Sequence, residues 1–257
     1  MAEITNYENN VIVNGTNDND SIYSEIDLSN VTINSYDGND TVRNYSYNSE
    51  INAGDGNNTI YNRGYYVTIT SGSGNDSILT DVDPHYGSEN YRNVTVHSGA
   101  GNDTLMVNDH ETCLDGQAGD DFISVEGGRS EYGWSTNTLE GGQGNDTMYG
   151  GNKNVFPYVE GDGDDIIYNF ADGDTLKIEP NEYTSYISGD DMIINTAGDG
   201  HITLVGAADK NIFINDENIN PAPDDNVGSY MQLSRWSYNF NFPTSDDSSS
   251  VIVASST

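Results

Sequence analysis

A single cysteine, Cys113, stands among 257 residues, so no intramolecular disulfide can form. Cations are almost as scarce: 8 Lys and Arg face 42 Asp and Glu, a formal net charge of −34. So few scattered positive residues cannot build the basic stripe that nucleic acid or an anionic membrane requires, and neither partner is expected. No apolar run approaches the ~18 residues of a membrane helix, so no membrane insertion is expected. Met1-Ala-Glu-Ile-Thr-Asn-Tyr-Glu-Asn-Asn has neither a basic n-region nor an apolar h-region, so no Sec-type signal peptide is expected in it. An exported product would leave by another route. With only 34% hydrophobic residues and 28 Gly, composition alone would fit a disordered polyacid. The order of the residues argues otherwise.

The chain repeats. Aligned on one column, Asp20, Asp40, Asn58, Asp76, Asp103, Asp121, Asp146 and Asp165 follow at gaps of 20, 18, 18, 27, 18, 25 and 19. Two residues before it stand Asp18, Gly38, Gly56, Gly74, Gly101, Gly119, Gly144 and Gly163. Four before it, Gly54, Gly72, Gly99, Gly142 and Gly161 fill five of eight places, and one before it all eight are Asn or Asp. Two after it stand Ile22, Val42, Ile60, Ile78, Leu105, Ile123, Met148 and Ile167. Seven before it come Val13, Ile33, Ile51, Ile69, Val96, Leu114, Leu139 and Tyr158. Each 18-residue unit thus has two short alternating stretches, the period of strands, joined by a Gly-x-Gly-Asn-Asp turn whose glycines take positive φ. Strands this short bury nothing alone, but stacked rungs do, and eight rungs make a solenoid of roughly 38 Å.

Stacking sets one Asp above another at about 4.8 Å, and each such pair repels by about 3 kcal/mol at an effective dielectric near 20. A counter-ion between turns relieves this. The ligands on offer are carboxylates and turn carbonyls, a hard oxygen set that selects Ca²⁺ over Zn²⁺, with Mg²⁺ disfavoured by its tight octahedral demands.

Glu140-Gly-Gly-Gln-Gly-Asn-Asp-Thr-Met148 resembles the nonapeptide G-G-x-G-x-D-x-U-x of the RTX (repeats-in-toxin) calcium-binding family. Ser71-Gly-Ser-Gly-Asn-Asp-Ser-Ile78 and Ser98-Gly-Ala-Gly-Asn-Asp-Thr-Leu105 are similar, and Asp165 to Ile178 resembles the segment that often ends such arrays. The resemblance spans about residues 11–215. It implies an all-β fold, a right-handed parallel β-roll solenoid of about eight 18-residue rungs, with calcium between turns and type I secretion through an uncleaved C-terminal signal. Carried over by position, Asp20, Asp40, Asp76, Asp103, Asp121, Asp146 and Asp165 match the metal-binding Asp, with carbonyls at Gly54, Gly72, Gly99, Gly142 and Gly161. Asn58 keeps an oxygen but loses a charge, so a weaker site is expected there. Asp18, counted with the metal set, replaces a turn glycine, as do Tyr36 and Gln117. The nonapeptide recurs here every 18 residues rather than every nine, so one edge is expected to hold about six or seven calcium ions in a single file.

The opposite edge takes the insertions. Asp81 to Arg92, with Tyr91 and Arg92, is one; Glu126 to Trp134, with Arg129, Tyr132 and Trp134, is the other. Arg43, Tyr45, Tyr47, Tyr61, Arg63, Tyr65 and Tyr66 map to the same side. Insertions that share one face suit a binding face, and Arg–aromatic clusters suit a surface glycan or protein. Equally, tyrosines pave a wide turn and arginines offset the acid field; both readings stay open. The expected division is a roll over 1–169, capping strands over 170–218, and a linker with an aromatic strand or secretion-type tail over 219–257. The strands read in the cap are Asp174–Ile178, Met192–Ile194 and His201–Val205. In the tail, Trp236, Tyr238, Phe240 and Phe242 alternate on one face, a strand for docking back, for homo-assembly or for the export signal.

No catalytic pattern stands out. His85, His97, His110 and His201 form no H-E-x-x-H helix, there is no G-x-S-x-G elbow, and Cys113 with His110 three residues away is no nucleophile pair. A glycosidase pair among 42 acids is the residual alternative. Related rolls bind ice through threonine ranks, but the variable turn position here holds no Thr. The expectation is a non-enzymatic, calcium-binding protein of a bacterial cell surface or exterior that folds on meeting calcium. It would serve as a structural or adhesive subunit, assembling through roll ends or its aromatic strand, or as a monomeric module for a glycan or host protein.

Overall fold

The computed structural model describes residues 1–81, 93–108, 111–125, 136–151 and 153–219, and the main chain of Gln232–Leu233. The fold is a parallel β-roll. Successive strands alternate between two sheets, one of thirteen strands and one of eleven among the described residues, so each rung gives one short strand to each sheet. The first sheet stacks Ile4, Ile22, Val42, Ile60, Ile78, Leu105, Ile123, Met148, Ile167 and Leu204 in one register. The second stacks Val13, Ile33, Ile51, Ile69, Val96, Leu114 and Leu139. From Ile22 and Ile33 onward these side chains are at most 1% exposed and face each other across the roll. Alternation along each strand is what permits this. In Val67–Thr70, Val67 and Ile69 are buried while Thr68 and Thr70 face out.

Three details depart from the sequence reading. The first sheet opens one strand ahead of the repeat columns, with Glu3–Asn6 parallel to Ser21–Ser24 and preceding Val11–Asn14. It also runs on past residue 170. Thr175–Glu179 pairs parallel with Asn154–Val159, His201–Leu204 with Asp164–Tyr168, and Phe213–Ile214 with Thr175 and Leu176. Among the described residues, two antiparallel hairpins interrupt the pattern: Tyr183–Ser188 with Asp191–Thr196, inserted into the first sheet with Gln232–Leu233 antiparallel beside it, and Phe213–Ile214 with Glu217–Asn218 at the end of the second. Finally, Phe156, not Tyr158, continues the core column, since Asn137 pairs with Asn154 and Phe156 with Leu176. Counting seven back from Asp165 fails because the 159–162 turn holds two extra residues. It is closed by Asp162 N–H to the Val159 carbonyl at 3.0 Å and by Val159 N–H to Asp162 Oδ2 at 2.6 Å.

Candidate metal centre

The repeat's turns stack along one edge, and two side-chain ladders clamp them. On the inside, each backbone N–H of the Asp column donates to Oδ1 of the next member. The distances are 2.7 Å for Asp20 to Asp40, 3.0 Å for Asp40 to Asn58, 2.6 Å for Asn58 to Asp76 and 2.7 Å for Asp76 to Asp103. Asp103 to Asp121 and Asp121 to Asp146 follow at 2.7 Å, and Asp146 to Asp165 at 3.0 Å. On the outside the neighbouring Asn/Asp column runs the other way. Asn39 N–H donates to Asn19 Oδ1 at 2.9 Å, Asn57 to Asn39 at 2.8 Å, Asn75 to Asn57 at 2.7 Å and Asn102 to Asn75 at 3.0 Å. That ladder explains why the position before the Asp is always Asn or Asp, a role the sequence reading left unassigned.

The ladders leave one oxygen per carboxylate. Among the described residues, Oδ2 of Asp40, Asp76, Asp103, Asp121 and Asp146 is buried and accepts no hydrogen bond. The hydroxyls beside three of them give their protons elsewhere: Ser35 to the Ala53 carbonyl (2.9 Å), Ser71 to Ser98 (2.8 Å) and Ser98 to Gly116 (3.0 Å). A buried, unpartnered carboxylate oxygen is costly, and the titration behaviour registers it. Burial pushes Asp76 up to about 7, Asp121 to about 8, Asp146 to about 7 and Asp165 to about 8, with neighbouring carboxylates adding to the rise. Burial raises Asp40 and Asp103 as well. Asp20, at the open end, differs. Burial pushes it up, but hydrogen bonds from Ala2 N–H and from the Thr16 N–H and hydroxyl outweigh burial and hold it below the usual range.

Turn geometry sets the carbonyls. At Gly99, φ is +106° and a Cβ would lie 1.8 Å from the Gly72 carbonyl oxygen, so only glycine lets adjacent turns stack this closely. Gly54, Gly72 and Gly142 behave alike, whereas Gly161 sits in the lengthened turn with nothing within 4 Å of its Cβ position. A column five before the Asp, unassigned in the sequence reading, packs against the free oxygens. It reads Gly15, Ser35, Ala53, Ser71, Ser98, Gly116, Gly141, and a Cβ on Gly141 would stand 2.1 Å from Asp146 Oδ2. Smallness in seven of its eight places, broken at Glu160 in the lengthened turn, was the available signal. Asp18 lies outside the file: its carboxylate is exposed and 3.3 Å from the N-terminal ammonium.

Asn58 completes the column differently. Its Oδ1 accepts from Asp40, and its Nδ2 donates to the carbonyls of Gly54 (3.1 Å), Gly56 (3.1 Å) and Ser71 (3.3 Å).

The opposite edge closes with neutral groups. Buried Asn44 donates to the Ser46 carbonyl (2.9 Å) and to Asn62 Oδ1 (2.8 Å), and Asn62 brackets Gly64 at 2.9 and 3.1 Å. An amide both donates and accepts, so these turns satisfy themselves. The tyrosines of that edge pack on one another, Tyr47 on Tyr65 at 5.0 Å and Tyr65 on Tyr66 at 5.5 Å, while Arg63 pairs with Asp81 at 3.3 Å. Arg43 and Tyr61 stand in register on the outer face of the first sheet. Tyr91, Arg92, Arg129, Tyr132, Trp134, Trp236, Tyr238 and Phe240 lie outside the described residues, as do His85 and His110. His97 faces Asp115 and His201 faces Asp164, each at 2.9 Å, and burial with Asp115 and Glu140 raises the Cys113 thiol.

Among the described residues, no group of three His, Cys, Asp or Glu side chains is placed to hold a metal ion. A cation on the Asp edge would therefore take its anionic ligands from the free Oδ2 atoms and the rest from turn carbonyls. That donor set is oxygen throughout, which fits a hard ion of flexible coordination such as Ca²⁺.

No family model matches the chain, and no curated protein matches it. Among solved structures it is similar to the extracellular lipase LipA from Serratia marcescens, at 19% identity and a TM-score of 0.37. The match covers 76% of this chain and 38% of the lipase, so the chain spans well under half of that protein's length. Likeness at this level decides nothing about activity.

Proposed function

We propose that the chain is a calcium-binding β-roll protein of the RTX type, exported and folded by calcium outside the cell, where it acts as a structural or adhesive element. One observation carries this reading: the file of five buried Asp Oδ2 atoms that accept no hydrogen bond, beside opposite-edge turns in which buried Asn44 and Asn62 meet their partners. A divalent ion supplies the missing partner and screens the stacked charges. Five such oxygens at Asp40, Asp76, Asp103, Asp121 and Asp146 set the proposed number at about five ions, below the six or seven expected from motif counting. Because the ligands come together only when turns stack, binding energy becomes folding energy. In a low-calcium cytoplasm the chain stays expanded and exportable; millimolar-class sites fill outside. Structural use is supported by the form of the molecule, a continuous stack of similar rungs with a net charge of −34 that ions can bridge. Isothermal calorimetry on the chelated protein, with circular dichroism alongside, tests the reading. We expect about five ions and strand signal appearing on calcium addition; a folded protein in EGTA that takes up one ion or none would overturn it.

A further inference from the structure

We infer that Asn58 is a built-in substitute for one calcium ion, so that its rung is closed without metal and the proposed file is divided into a site at Asp40 and a run from Asp76 onward. The inference rests on the calcium reading above and adds to it the occupant of each rung. All members of the column share the same main-chain partner through Oδ1, Asn58 included. They differ in the second atom. In Asp40, Asp76, Asp103, Asp121 and Asp146 it is a buried oxygen with nothing to accept. In Asn58 it is an NH₂ group within 3.1 to 3.3 Å of three carbonyl oxygens, two from its own turn and one, Ser71, from the next. Three carbonyls converging on one point are a cation's cradle, and here the electropositive group filling it is covalently attached. The orientation is fixed by chemistry: the Asp40 N–H needs an acceptor and the three carbonyls need a donor, so the amide fits only one way round.

Asn58 is therefore not a weakened calcium ligand. An Asp there accepts only, and it vacates the cradle for an ion. Conversely, an Asn placed at a site such as Asp103 directs its amide at the equivalent carbonyls, displaces the ion and steadies the metal-free turn.

Native mass spectrometry at saturating calcium reads this directly. Wild type should carry about five ions and Asn58→Asp one more. A second pair of variants covers failure of that protein to fold. In EGTA, where the wild type is expanded, strand signal is induced with an excluded osmolyte, trimethylamine N-oxide, and Asp103→Asn should reach half of that signal at a clearly lower osmolyte concentration than Asp120→Asn. Asp120 is the control because its carboxylate belongs to the exposed outer ladder, accepting from Asn145 at 2.9 Å, so its loss removes a charge and adds no plug. An unchanged ion count in a folded Asn58→Asp, or no advantage of Asp103→Asn over Asp120→Asn, overturns the inference while leaving the calcium reading standing. Wild type that carries no calcium overturns the calcium reading itself.

Discussion

Glycine 99 shows how much one atom decides in this molecule. Its φ of +106°, and the 1.8 Å that would separate an added Cβ from the Gly72 oxygen, leave no room for a side chain. Gly99→Ala should cost about 2 kcal/mol or more, from strain and from pushing two turns apart. Gly161→Ala is the comparison, since φ there is also positive but nothing lies within 4 Å. We expect thermal melting in calcium to drop clearly more for Gly99→Ala than for Gly161→Ala; equal losses would mean that turn stacking is not limiting. At this scale much was legible. The Asp and Gly columns stood out as residue types at fixed spacing. What did not show was direction: an Asn in the Asp column reads as a poorer ligand until the structure aims its amide at three carbonyls.

Strands were legible from alternation because each one buries every second residue, as in Val67–Thr70. Boundaries anchored on the Asp were not. Two extra residues in the 159–162 turn moved the core position from Tyr158 to Phe156, a slip invisible in spacing since both are aromatic and both are buried. Asp174–Ile178 read as a cap strand, and no Gly-x-Gly-Asn-Asp turn follows it. Asp174 nevertheless performs the ladder function on the second sheet, accepting the Asn154 N–H at 2.6 Å and the Ala171 N–H at 2.9 Å. Continuity of the two core columns makes a quantitative prediction. Ile69, fully buried between Ile51 and Val96, should lose about 2–5 kcal/mol on change to Ala. Spread over about five coupled ions, that is about 0.4–1 kcal/mol each, a two- to fivefold rise in the calcium midpoint. The ion count should be unchanged. A variant that loses two ions at an unaltered midpoint would show that rungs fold as separate local units.

For the whole molecule, acid and calcium should act on the same oxygens with opposite slopes. In the metal-free fold, burial holds Asp76 and Asp146 at about 7 and Asp121 and Asp165 at about 8, well above the ~3.9 of an unfolded Asp. Between about pH 4 and 8 the folded chain therefore binds more protons than the unfolded one. By linkage the stability these groups contribute is fully present below about pH 4 and falls steadily as pH rises to about 8, where they have ionised without a partner. Calcium reverses the sign. An ion on Oδ2 favours the ionised form, so protons compete with it and acidification weakens the loaded roll. Denaturant midpoints measured from pH 5 to 8 should fall with pH in EGTA and rise with pH in calcium. Asp20, whose folded value is held low by Ala2 and Thr16, is ionised in the folded and the unfolded chain throughout this range and adds no slope to it. Parallel slopes in the two conditions would mean that the buried carboxylates are not where the ions sit. A chain that orders itself at pH 5 without metal and at pH 7.5 only with it would locate the folding switch in the Asp file, whose carboxylates, raised to about 7 and 8, change charge on passing between those two values.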